Sequence, residues 1–86
     1  MSLRKLNNYF NVIGENLKEL RLKKNLSQAQ LANELNLLGI NIYKNDISMI
    51  EANTRSVKDY ELWGFIKVLN VKFEDLTSGI EKKLQQ

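Results

Sequence analysis

The ionisable side chains of this chain suit binding better than catalysis. It contains no His and no Cys. Without His it lacks the usual general base and a common metal ligand, and without Cys it lacks thiolate chemistry, disulfides and cysteine-type zinc sites. Carboxylates, Lys and Ser remain, a poor set for an enzyme of 86 residues. No catalytic residue, metal ion or small-molecule cofactor is therefore expected. The basic residues are more informative. Arg4, Lys5, Lys18, Arg21, Lys23 and Lys24 crowd the first third, and Lys44, Arg55 and Lys58 follow. A net charge of +3 permits a polyanionic partner without requiring one. Lys82, Lys83 and about half of the other basic residues read as a solvated charged face.

The elements that must position these groups are helices throughout. The length leaves room for one domain over 1–86, with a core at 11–78 and a tail at 79–86. An apolar share of 43% supplies one small core. No apolar run of membrane length and no signal peptide is present, so a cytoplasmic location and no membrane partner are expected.

Ile13, Leu17 and Leu20 recur at helical spacing and predict a first helix ending near Asn25, which suits a left-handed cap. Tyr9 and Phe10 are candidates to extend it backwards. Ser27 with Gln30 three residues on forms a capping box for a second helix, with Leu31, Ala32 and Leu35 inward. Gly39 is its natural stop and Asn36 a weaker, earlier one. Ile40-Asn41-Ile42-Tyr43 alternates, but no partner run exists elsewhere, so it reads as an extended turn. Ile47 and Ile50 mark a third helix from about Lys44 to Ala52, closed by Asn53. A fourth begins at Asp59 with Leu62, Phe65, Ile66 and Leu69 inward. Gly64 inside it costs up to about 1 kcal/mol relative to Ala unless close packing compensates. A short fifth helix runs from Phe73 to Thr77 with Leu76 inward, and the tail is amphipathic only through Ile80 and Leu84.

Leu26-Ser27-Gln28-Ala29-Gln30-Leu31-Ala32 and Ile47-Ser48-Met49-Ile50-Glu51 are thus two short amphipathic helices joined across a Gly-containing break. In a small basic chain this predicts a helix-turn-helix over 27–53, a shape that lets one helix enter the major groove of DNA. The wider pattern is Ile13-Gly14-x-x-Leu17-Lys18-x-Leu20-Arg21, Leu26-Ser27-Gln28-x-x-Leu31-Ala32, Ile47-Ser48-x-Ile50-Glu51, Arg55 and Leu69-x-Val71-x-x-x-x-Leu76. It resembles the lambda-repressor-like DNA-binding domain of the Cro/repressor (XRE) helix-turn-helix family. The resemblance implies an all-α fold, a compact bundle of about five short helices.

It also implies roles. Gln28 opens the second helix, where such glutamines clamp a DNA phosphate, and Ser27 adds a contact beside its capping role. Lys44, Asn45, Ser48 and Met49 take the groove-facing positions of the third helix. There Asn45 suits adenine, Lys44 guanine or a phosphate, and Met49 a thymine methyl. Without the resemblance, Lys44 and Asn45 read as plain exposed surface rather than as base contacts. Arg55 is implied as a phosphate contact, and Asn53 as one through its backbone. Arg21 and Glu51 are implied as a structural ion pair between the first and third helices.

Three departures from the family pattern stand out. Ile47 lies twelve positions after Leu35, a longer interval than usual, so extra residues from 36–42 lengthen the second helix or the turn. Leu37, Leu38, Ile40 and Ile42 are apolar, so the insertion is expected to be packed. Tyr43 stands where a capping Ser or Thr is usual; either Asn41 caps instead or Tyr43 contacts a phosphate. Asp46 stands where Ser or Thr is common, and its carboxylate opposes DNA unless it accepts from cytosine or caps its own helix.

Two functions follow from the resemblance. One is a prokaryotic or phage transcriptional regulator that binds double-stranded DNA as a homodimer, with Lys18, Lys44, Arg55 and Lys58 along one surface. Trp63, outside the inward stripe of the fourth helix, is either a dimer contact or partly covered by the tail. The other is an antitoxin-like or adaptor module that keeps the fold and uses Asp46, Met49 and the insertion to bind protein.

Overall fold

The computed structural model describes residues 9–84, all of whose regular elements are helices. Arg4 and Lys5 lie outside that range. The helices are α1 (Gly14–Lys23), α2 (Gln28–Leu37), α3 (Lys44–Glu51), α4 (Asp59–Leu69), α5 (Phe73–Leu76) and α6 (Ile80–Leu84). The first five follow the sequence reading, and the tail adds α6. Tyr9 and Phe10 do not extend α1; both are exposed, and the Phe10 N–H donates to the Asn53 carbonyl at 3.1 Å. No helix among the described residues is long and apolar enough to cross a membrane.

Side chains set the helix boundaries. Ser27 Oγ accepts from the Gln30 N–H at 3.0 Å, and Gln30 Oε1 accepts from the Ser27 N–H at 2.7 Å. This reciprocal pair satisfies two N–H groups that α2 would otherwise leave open. Three later helices use an acid in place of Gln30. Asp46, Glu61 and Asp75 each accept from the backbone N–H three residues earlier, at Tyr43, Lys58 and Lys72, all at 2.9 Å. Their negative charge also complements the helix N-terminus. At the other ends the chain turns through left-handed residues: Asn25 (φ 59°), Gly39 (φ 89°), Asn53 (φ 64°) and Asn70 (φ 54°). Asn tolerates that region better than most residues.

Ile13, Leu17, Leu31, Ala32, Leu35, Ile40, Ile42, Ile47, Ile50, Phe65, Leu69 and Leu76 form the core. Around it α2 packs against α3 and α4, and α1 against α3, α4 and α5. The insertion divides. Helix α2 ends at Leu37, so the extra residues form a turn. Ile40 and Ile42 are buried within it, a contribution of about 1.5–3 kcal/mol each when burial is complete. Leu37 and Leu38, expected to pack, are instead exposed. They sit where α2 closes, and the turn aims only the second, alternating pair inward. Asn36 ties the turn down: its Nδ2 donates to the carbonyls of Ala32 (2.6 Å) and Ile42 (2.8 Å).

Two glycines allow close approach. A Cβ on Gly64 would lie 2.5 Å from Ile40 Cδ1, so this glycine makes room for the insertion. A Cβ on Gly14 would collide with the Ile50 carbonyl oxygen and lie 2.9 Å from that of Glu51. The start of α1 thus abuts the end of α3.

Candidate functional site

Helix α3 has two unlike faces. Ile47, Ile50 and Glu51 are buried. Lys44, Asn45, Ser48 and Met49 are exposed, following the i, i+1, i+4, i+5 pattern of one helix surface. None of these four side chains hydrogen-bonds or ion-pairs with another described residue; the bonds that satisfy the helix are made elsewhere. Met49 is 42% exposed, an apolar side chain on the face opposite the core. The Tyr43 side chain, just ahead of them, is also exposed and caps nothing. Capping falls to Asp46, whose position in the first turn keeps its charge within the protein: Oδ2 takes the Tyr43 N–H, and Oδ1 lies 3.4 Å from Arg55 Nε.

Behind this face lies a polar node that joins three helices. Arg21 Nε donates to Glu51 Oε2 at 2.6 Å and Nη2 to Oε1 at 3.0 Å, in the two-pronged geometry that suits a guanidinium to a carboxylate. Arg21 Nη1 donates to the Leu26 carbonyl at 2.8 Å. Gln28 Nε2 reaches the same Glu51 Oε1 at 3.0 Å. Both charged side chains are nearly dry, at 7% and 4% exposure. The first residue of α2 is therefore fastened to the last residue of α3. One Gln28 amide hydrogen and its oxygen remain beside the α2 N-terminus, where free N–H groups favour an anion. Ser27 is exposed alongside.

Arg55 and Asn53 sit differently from their expected roles. The Arg55 guanidinium donates to both Glu61 oxygens at 2.9 Å and to the Ser56 carbonyl at 2.9 Å. Burial pushes the Glu61 carboxyl up, but the Arg55 bonds and the Lys58 N–H outweigh it and hold the group below its ordinary value. The same bond to Glu61 raises Arg55 against the lowering effect of its own burial. Asn53 was expected to offer its backbone, but its N–H is already donated to the Ile50 carbonyl at 3.0 Å. Its side chain donates to Asn11. A left-handed residue closing a helix satisfies the last carbonyls from its own backbone, which leaves that N–H unavailable to a ligand.

Sequence reasoning missed two residues that shape this region. Asn11 Oδ1 accepts from the Ile13 and Gly14 N–H groups, and its Nδ2 donates to the Ile50 and Arg55 carbonyls at 2.9 and 2.8 Å. It caps α1 and clamps the end of α3 at once. Glu61, 1% exposed, is the acid opposite Arg55. Its signal was present: Lys58-x-x-Glu61 has the spacing of an N-cap and its third helical residue.

A family model described as helix-turn-helix matches residues 17–76, from α1 to the end of α5. No curated protein and no solved structure gives a significant match.

Proposed function

Because this chain belongs to the Cro/repressor-type helix-turn-helix family of DNA-binding regulators, we propose that it is a prokaryotic or phage transcriptional regulator binding double-stranded DNA as a homodimer. Helix α3 enters the major groove. One observation carries this: the exposed face of α3 gathers Lys44, Asn45, Ser48 and Met49 while the helix's own polar groups are satisfied elsewhere. These side chains supply an ammonium, an amide, a hydroxyl and an apolar tip, a set able to read base edges. Ser27 and Gln28 at the α2 N-terminus, with the Tyr43 hydroxyl, position the phosphate backbone. One eight-residue helix makes few base contacts, and two-fold symmetry doubles them. Tyr60 and Trp63, half exposed at i and i+3 on α4, are the residues proposed for the contact between subunits.

The adaptor reading has one observation in its favour: Leu37 is 81% exposed and Leu38 42% at the corner of the insertion. Selection of bound sites from a random duplex pool separates the two. The regulator enriches a two-fold symmetric sequence with half-sites about 34 Å apart, one helical turn or a multiple of it. Enrichment of no sequence above the starting pool would overturn the specific-binding reading.

A further inference from the structure

We infer that Arg55 is a positioning residue that staples the first turn of α3 to the first turn of α4, and is not a phosphate ligand. All three guanidinium nitrogens are engaged. Nη1 and Nη2 hold the two Glu61 oxygens at 2.9 Å, Nη1 also reaches the Ser56 carbonyl, and Nε lies 3.4 Å from Asp46 Oδ1. Glu61 is almost entirely desolvated. A phosphate that drew Arg55 out of this bidentate pair would leave a buried carboxylate uncompensated, so the ordinary reach of an arginine towards a DNA backbone is opposed here.

The connection continues beyond Arg55. Asp46, on the turn that carries Lys44 and Asn45, also accepts the Tyr43 N–H, the bond that fixes where α3 begins. Glu61 likewise accepts the Lys58 N–H and fixes where α4 begins. A single cation therefore joins two capping carboxylates, one on each helix. Asn11 holds the backbone of the same residue through the Arg55 carbonyl at 2.8 Å. Arg55 also offsets the one acidic side chain in the first turn of α3, which would otherwise oppose a polyanion at that end of the helix.

The affinity arm of the test rests on the DNA-binding reading; the exchange arm does not. Arg55→Gln alone strands Glu61 and risks unfolding, so the main variant is Arg55→Gln with Glu61→Gln, which removes the pair together. In the free protein, NMR amide exchange at Tyr43 should quicken about tenfold or more in the double variant, while the Leu17 and Leu31 amides keep their rates. An unchanged Tyr43 rate overturns the staple. With random duplex DNA, the double variant should bind about tenfold or more weakly, yet keep the wild-type slope of log K against log salt. A slope shallower by about 0.9, the mark of one lost phosphate contact, overturns the inference. Arg55→Lys keeps the charge but loses the fork, and should also weaken binding; full affinity in that variant counts against the staple. A wild-type chain that binds no DNA at low salt sinks the DNA reading instead, and the Tyr43 exchange rate then decides the role of Arg55.

Discussion

Replacing Arg21 with Ala should be among the most destabilising single changes in the chain. The guanidinium makes three hydrogen bonds, two to Glu51 and one to the Leu26 carbonyl. Without it Glu51, 8% exposed, keeps only the Gln28 amide. A buried carboxylate stripped of its cation costs about 3–5 kcal/mol. Water screens little of this, because both side chains are nearly dry. A domain this small has about 5–15 kcal/mol in total, so about a fifth or more of its stability is at stake. At about 4–8 °C per kcal/mol, Tm should fall on the order of 12–40 °C. Lys24→Ala, at an exposed site one residue past α1, should change stability by no more than about 0.5 kcal/mol. Circular-dichroism melts and urea titrations of both variants give the comparison. Arg21→Met with Glu51→Leu adds a control: removing both charges should cost less than removing Arg21 alone, since no buried charge is left uncompensated and only the Leu26 carbonyl and the Gln28 amide lose a partner. Equal losses for the Arg21 and Lys24 variants, or a double variant as unstable as the sum of its parts, would refute the reasoning.

Three further outcomes are expected. Gly14→Ala should cost about 1–3 kcal/mol by overpacking, because the new methyl meets rigid carbonyl oxygens at the end of α3; Gly64→Ala meets the movable Ile40 tip and should cost less in the same urea titration. Glu61 titrates below its ordinary 4.5 in the fold, so it stabilises the protein above that value, and this contribution should disappear as pH falls through the lowered folded value; Glu61→Gln should flatten the acid limb of a stability profile, and an unchanged limb would count against it. Asn45→Ala should cost about 1–3 kcal/mol of discrimination at one base pair of a selected site, with non-specific affinity retained; a uniform loss on all sequences would move Asn45 from reading bases to positioning.

Much of the fold was legible because its signals are local. Ser27 and Gln30 lie three residues apart, and Asn25, Gly39 and Asn53 mark their turns by type alone. The alternation Ile40-Asn41-Ile42-Tyr43 also carried real information: both isoleucines are buried and the two polar residues are exposed. What stayed hidden depends on distance along the chain. Asn11 earns its place through carbonyls 39 and 44 residues away, and nothing near it in sequence shows them. Leu37 and Leu38 match Ile40 and Ile42 in hydrophobicity, so composition could not say which pair the turn would bury. Arg55 was hidden for another reason: Glu61 is only six residues away, but nothing in the residue types shows that the two side chains meet.

On the proposed function, this helix-turn-helix holds a polyanion against the outer face of α3 and the start of α2. Fluorescence anisotropy of a labelled random duplex, titrated at low and at high salt, tests it most directly. Binding at low salt should fade steeply, with log K falling by about 0.9 per tenfold salt for each phosphate contacted. No binding at low salt, or an affinity indifferent to salt, would contradict the account.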